Sequence, residues 1–460
     1  MSENLLFIDE LAFDIIVFFS VSFSYGGAME FDIGFTDKDI TAWGGMALMK
    51  KMLDRSKVDD LFASMAELPR PQSNRGYDPE QIIKSFWVSI WCGANRFLHT
   101  EVVRQDEVIR KIFGWDRMCG HDTYRRFFGK FTLGTSQEVS DKMYSWFFNG
   151  LKFDNYTLDF DSTVITRYGD QEGAARGYNP AKRNRKSHHP LMAFVADCRM
   201  VANFWLRSGN ASSANNMESF LDNTLYKLGE KKIGLLRADS GFCSDKIFTN
   251  LEKKSIQYVI AARFQQPIQR LAAACQCWFS LDDGIEVSET SYQGKEWEEP
   301  RRMILVRQHI PQRPKASGKQ LRLFSDDEIY NNYRYQCFIT NLALPAAEVW
   351  RLYRGRADAE NRIKELKYDF GLSGFSQGNF VATEAALNMV MMAYNLMSLF
   401  RQVILKQKKQ PQMSTLRYTV FAVGAFMVKE GNKRILKLSM SMKRREWFEG
   451  LWSRASAFSW

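Results

Sequence analysis

Residues Tyr353–Lys367 read YRGRADAENRIKELK. The stretch has no proline, and its one glycine, Gly355, lies near the start, so residue propensities predict an α-helix. At 3.6 residues per turn, Tyr353, Arg356, Glu360 and Lys367 fall on one stripe of that helix. The stripe is polar, with one carboxylate, two cations and a phenol. A carboxylate flanked by cations can hold a divalent metal ion while the cations neutralise a phosphate, as phosphodiester chemistry requires. The same residues also read as an ordinary solvated face with ion pairs such as Glu360 with Lys364. The surrounding chain decides between the two.

Working outward, Tyr335–Asn341 reads as a strand. The run from about Ala382 to Ile404 reads as an apolar helix, amphipathic or buried, whose methionines suit core packing better than a cofactor box. Upstream, the texture changes to strands at Asn155. Tyr156, Leu158 and Phe160 alternate with Thr157, Asp159 and Asp161, a period of two that sends the acids to one face. Leu191–Asp197, Met200–Arg207, Lys232–Asp239 and Gln257–Arg263 read as further strands, and Ser213–Leu228 and Ser244–Lys254 as helices. Residues 264–333 depart from this pattern, with short strands at Trp278–Ser280, Ile285–Thr290 and Arg302–Val306 and a basic, proline-rich run at Pro311–Gln320. They read as an inserted β-rich region.

From Ile40 to about Gly150 the period is helical. Asp78-Pro79-Glu80 supplies an N-cap and a proline at the first helical position, followed by Ile83, Phe86, Trp87, Ile90 and Trp91 at helix spacing. Gly120–Phe128, GHDTYRRFF, reads as a turn, a capping Asp122 and a short helix carrying Arg125 and Arg126. It fits either the second helix of a helix-turn-helix or a core helix with surface arginines. Between the Asp161 strand and Leu191, the loop GYNPAKRNRKSHHP packs Lys182, Arg183, Arg185 and Lys186 into five positions. That cluster fits a phosphate-contacting loop and a solvated loop equally. His188 and His189 are adjacent and point apart on a strand, which argues against a metal pair and for packing or DNA contact.

The 460 residues are 45% hydrophobic and 25% charged, a composition that folds into two or three domains and is neither fibrous nor disordered. The net charge is +11, and residues 401–460 hold thirteen Lys/Arg against three Asp/Glu. A polyanion is the expected partner, nucleic acid before an anionic membrane. Seven scattered cysteines show neither a repeated CxxC nor a disulfide framework, which points to a reducing cytoplasm. Residues 5–23 are apolar, but Asp9, Glu10 and Asp14 interrupt them and no basic segment precedes them, so neither a signal peptide nor a membrane span fits. Met29 begins a clean protein start, and Gly26-Gly27-Ala28 is compatible with an encoded bacterial ribosome-binding site. Translation is therefore expected to start at Met29, with residues 1–28 an upstream extension.

Three carboxylates stand out by position. Asp161 ends a strand in LDFDST, Asp239 ends a later one in LLRADSGF, and Glu360 lies on the polar helix stripe. Open α/β sheets place their sites at the carboxyl ends of strands, and three such groups can hold two Mg²⁺ or Mn²⁺ ions. The order Asp161, Asp239, Glu360, with Tyr-x2-Arg-x3-Glu-x6-Lys filled by Tyr353, Arg356, Glu360 and Lys367, resembles the DDE transposases of bacterial insertion sequences in the insertion-sequence-four superfamily. LDFDSTVI, GDQEGAARGYNP and RGRADAENRIKELKYDFG are similar more particularly to its thirteen-eighty branch, and the resemblance runs from about Met29 to Leu405.

The resemblance implies an α/β fold with an RNase H-like catalytic core, a β-rich insertion between the second Asp and the Glu, and an all-α DNA-binding domain in front. On this sequence the parts are expected at 29–150 (helical domain), 151–263 and 334–405 (core), 264–333 (insertion) and 406–460 (basic C-terminal region). It further implies that Asp161, Asp239 and Glu360 ligate the two metal ions and that Tyr353, Arg356 and Lys367 contact the DNA end. The partners would be the element's terminal inverted repeats and a target duplex, bound by a homodimer at the bacterial nucleoid. A nuclease on the same core, or a DNA-binding descendant without activity, are the competing readings.

Overall fold

The computed structural model describes residues 32–212, 214–281, 284–310, 333–407 and 409–460. The chain divides into two compact units, 1–38 and 39–460. The expected upstream extension at 1–28 and the basic run at 311–320 lie outside the described residues. In the first unit, 32–38 carry no helix or strand.

The second unit opens with seven helices among the described residues: α1 (Met46–Arg55), α2 (Val58–Ser64), α3 (Pro79–Trp91), α4 (Thr100–Arg104), α5 (Glu107–Phe113), α6 (His121–Phe128) and α7 (Leu133–Asn149). Helix α3 starts where Asp78-Pro79 dictates, and Ile83, Phe86, Trp87, Ile90 and Trp91 are all fully buried. Helix α6 turns Tyr124, Phe127 and Phe128 inward and leaves Arg125 and Arg126 exposed. Its expected cap is corrected. Gly120, not Asp122, is the N-cap residue, and the Glu101 carboxylate accepts from the His121 backbone N–H (2.6 Å) and lies 2.7 Å from the His121 ring. A glycine has no side chain to cap with, so an acid from α4 satisfies the free N–H.

The strands are β1 (Tyr156–Ser162), β2 (Ile165–Thr166), β3 (Ala175–Arg176), β4 (Lys186–His188), β5 (Leu191–Val195), β6 (Met200–Trp205), β7 (Ile233–Ala238), β8 (Tyr258–Ala262), β9 (Phe279–Ser280), β10 (Ile285–Tyr292), β11 (Arg301–His309) and β12 (Tyr333–Thr340). Nine of them form one mixed sheet in the order β6-β5-β1-β7-β8-β12-β11-β10-β9. Among the described residues of this sheet only β1–β7 and β7–β8 pair in parallel. Helix α8 (Met217–Leu228) precedes β7, and α9 (Asp245–Lys253) crosses over from β7 to β8. Within 264–333, α10 (Gln266–Ala274) comes first, and β9, β10 and β11 then extend the same sheet through β12. Strands β2, β4 and β3 make a separate small sheet that carries the basic loop.

After β12 come α11 (Ala346–Arg354), α12 (Ala357–Tyr368) and α13 (Phe380–Phe400). Helix α13 is buried all round from Ala385 to Phe400, its four methionines included. The indoles of Trp87 and Trp91 donate to the Met389 and Ala393 carbonyls (2.9 and 3.1 Å). Elsewhere on the helix, the Asn395 amide bonds both the N–H and the C=O of Val201 on edge strand β6 (2.7 and 2.8 Å). One continuous core therefore runs from the N-terminal helices through α13 to the sheet. The C-terminal part is α14 (Met413–Leu416), the hairpin β13 (Ala425–Glu430) with β14 (Lys433–Leu438), and α15 (Met442–Ala457). No helix among the described residues is long and apolar enough to cross a membrane.

Candidate active site

The alternation along β1 buries Tyr156, Leu158 and Phe160 in the core and sends Asp159 and Asp161 to the other face. In the parallel β1–β7 register Phe160 lies beside Ala238, so the next residues, Asp161 and Asp239, stand side by side at the carboxyl ends of neighbouring strands. Asp161 Oδ1 accepts from the Ser162 N–H at 2.8 Å, and Asp239 Oδ1 accepts from the Gly241 N–H at 2.9 Å.

The single helix expected over Tyr353–Lys367 is not found. Helix α11 ends at Arg354, α12 begins at Ala357, and Gly355 and Arg356 form a bend between them. The cause is a side chain from β7. Arg237 Nη1 donates to the Leu352 carbonyl at 2.6 Å, and the Arg356 N–H bonds instead to Tyr353, one residue further on, at 2.9 Å. At Gly355 a Cβ would lie 2.5 Å from Arg237 Nη1, so any larger residue here must displace the guanidinium.

The bend does not scatter the four signature residues. Arg356 Nη2 reaches Asp161 Oδ2 at 3.1 Å and the Phe160 carbonyl at 3.2 Å. Lys367 Nζ donates to the Val164 carbonyl at 3.1 Å, and the ammonium feels the charge of Asp161. The Tyr353 ring packs on Phe338 with centroids 4.4 Å apart. Glu360, one turn beyond Arg356, is exposed.

The electrostatics tie these groups together. Burial pushes the Asp161 carboxyl up to about 6; Arg356 opposes this, while the charges of Asp239 and Glu360 add to it. Burial pushes the Tyr353 phenol up to about 12, with Arg356 opposing and Asp239, Asp161 and Asp159 adding, so it stays protonated. Burial also lowers the Lys367 ammonium, against the pull of Asp161.

Among the described residues no three His, Cys, Asp or Glu side chains are drawn close enough to enclose an ion. The donor chemistry nevertheless suits a hard divalent cation. The candidate ligands are all oxygen donors, and Asp161 is destabilised as an anion by burial and by two like charges, which a bound cation would relieve.

The other cations singled out in the sequence stand on separate elements. Arg125 and Arg126 are exposed on α6, with Arg125 4.0 Å from Asp122. Lys182, Arg183 and Arg185 are exposed on the β3–β4 loop, where Asn179 Oδ1 accepts from the Lys182 N–H (2.9 Å) and Arg185 lies over Tyr168. Lys186 begins β4 and pairs with Asp170 at 2.6 Å. His188 is fully buried, accepting from Arg167 Nε at Nδ1 (3.0 Å) with its Nε2 3.0 Å from the Glu172 carbonyl, and His189 contacts the Ala211 carbonyl. Both serve packing.

The sequence reading missed Asp159 and Arg237, which form a buried two-pronged ion pair: Nε to Oδ1 at 2.6 Å and Nη2 to Oδ2 at 2.9 Å. The signal was available. Each lies two residues before a candidate catalytic Asp, in DFD and RAD, and equal offsets on parallel neighbours put them on one face.

A cryo-EM structure of the piggyBac transposase synaptic complex with hairpin DNA is similar at 11% identity and a TM-score of 0.45, over 84% of this chain and 82% of that chain. No curated protein matches the chain. A sequence family described as "Transposase DDE domain group 1" matches residues 23–459. The match spans nearly the whole sequence, so the chain belongs to this family of DDE-domain transposases.

Proposed function

We propose that the protein is the transposase of a bacterial insertion sequence of the insertion-sequence-four superfamily, in its thirteen-eighty-like branch. It binds the element's terminal inverted repeats, cleaves at the element ends and joins the 3′-OH ends to target DNA. The observation that supports this reading is the placing of Asp161 and Asp239 at the ends of neighbouring parallel strands with Arg356 3.1 Å from Asp161.

Asp161, Asp239 and Glu360 would hold two Mg²⁺ or Mn²⁺ ions, which when bound supply an activated water and stabilise the leaving oxygen. The chain's own residues do the rest. Arg356 and Lys367 bring positive charge to the strand ends, where a phosphate would otherwise meet only carboxylates. The Tyr353 phenol keeps its proton across the physiological range and so can donate at this edge. We read the strands β6-β5-β1-β7-β8 and β12 as the RNase H-like core, residues 264–333, with β9, β10 and β11, as its insertion, and the helices of 29–150, with Arg125 and Arg126, as the repeat-binding part. Lys182, Arg183, Arg185 and Lys186 are read as phosphate contacts, and the working species as a dimer on paired ends.

The test is cleavage of a duplex carrying the element's terminal repeat, in Mg²⁺ or Mn²⁺, by wild type and Glu360→Gln. Nicking at the repeat boundary by the wild type, with a variant that binds equally but does not cut, is the expected result. Equal binding and no cutting by either protein would make it a DNA-binding descendant. Cutting without joining of pre-cut 3′-OH ends would make it a nuclease.

A further inference from the structure

Beneath the carboxylates lies a second layer. Asp159 and Arg237 are direct partners in the β1–β7 register, and each sits two residues before its candidate catalytic Asp. Side chains two apart on a strand share a face, so the pair lies about 7 Å below the Asp161–Asp239 pair. Asp159 is fully buried and Arg237 is nearly so. A buried ion pair gains little stability over an apolar pair of the same shape, so stability alone does not explain its presence.

Arg237 makes one bond outside the pair. With Nε and Nη2 held by Asp159, its remaining nitrogen, Nη1, points at the Leu352 carbonyl at the end of α11 and packs on Gly355. Arg237 thus connects the strand that carries Asp239 to the bend that carries Arg356 and, one turn later, Glu360. Asp159 fixes the guanidinium plane, and the guanidinium fixes the bend.

We infer that Asp159 and Arg237 are positioning residues that set the α11–α12 bend and thereby seat Arg356 and Glu360 over the two strand-end aspartates. Neither touches the reacting atoms. The inference rests on the strand-cutting reading above, but its geometric part can be tested without it. A seat displaced by about 1 Å is enough to cost about 100-fold in rate.

The experiment compares wild type, Arg237→Lys, Gly355→Ala, the double variant Asp159→Asn/Arg237→Met, which leaves no bare buried charge, and Gly355→Ala added to that double variant. Three quantities are read: amide hydrogen exchange over 352–362, affinity for the repeat duplex in EDTA, and kcat for nicking in Mn²⁺. The expected result in the folded double variant is at least 10-fold faster exchange over 352–362 with 156–160 unchanged. DNA affinity should stay within about twofold and kcat should fall about 100-fold. Arg237→Lys, which keeps the charge but cannot reach Asp159 and Leu352 together, should lose nearly as much. Gly355→Ala should lose activity in the wild-type background and lose nothing further when Arg237 is Met, because the clash is then gone. If exchange over 352–362 and kcat stay at wild-type values in the folded double variant, or Gly355→Ala is silent, the inference is overturned. If the wild type itself does not nick, the functional reading fails, and the exchange arm alone decides the positioning role.

Discussion

Asp161→Asn in the metal-free protein should stabilise the fold. The Asp161 carboxyl is pushed up to about 6 in the folded chain, from an ordinary value of 3.8, because burial, Asp239 and Glu360 outweigh Arg356. About two pKa units at about 1.36 kcal/mol each give about 3 kcal/mol. The sign follows from proton linkage: the folded state holds this proton more tightly than the unfolded state. The group's contribution to stability is therefore complete below about pH 4 and is lost as pH rises through 6. Asparagine is neutral at every pH and escapes that loss, so the variant should gain about 3 kcal/mol at pH 8 and about half as much at pH 5. Urea denaturation in EDTA at the two pH values, followed by tryptophan fluorescence, measures both. Added Mn²⁺ should reverse the order, because wild type gains about 4.1 kcal/mol at a concentration about 1,000 times its Kd while the variant gains little. An Asp161→Asn protein no more stable than wild type at pH 8, or one whose gain does not shrink at pH 5, would refute the reasoning.

Two further outcomes can be checked directly. Replacing Lys182, Arg183 and Arg185 together by Ala should weaken binding to any duplex and lower the slope of log affinity against log salt by up to about 3, as read by fluorescence anisotropy across a KCl series; an unchanged slope removes the loop from the DNA interface. Asn395→Leu should cost about 2–5 kcal/mol in urea denaturation, because the buried N–H and C=O of Val201 both lose their partner.

What the sequence revealed was whatever local pattern decides. The alternation of Tyr156–Asp161 is the alternation of a strand buried on one face, and Asp78-Pro79 starts a helix because proline suits a first turn. The pairing of Asp161 with Asp239 followed from strand ends and needed only the parallel register. Hidden from it were the features set by side chains distant in sequence. Helix propensity across Gly355 favours continuity, and the bend is imposed by Arg237, 115 residues before Leu352. The cap of α6 comes from Glu101, 20 residues before His121. The strands of 264–333 read as a local β-rich block, but β12 joins them to the main sheet by hydrogen bonds that no local pattern encodes.

Helix α13 has a consequence for how this chain can evolve. Its Met389 and Ala393 carbonyls take indole bonds from α3, and its Asn395 completes the edge of β6, so one helix is fitted at once to partners far apart in the sequence. Exchanging the first 150 residues for an unrelated segment would strip both tryptophans from α13 and open its apolar flank to water. Point substitutions at exposed positions such as Arg125 and Arg126 leave that packing intact and are expected to accumulate, while recombination between whole segments is selected against.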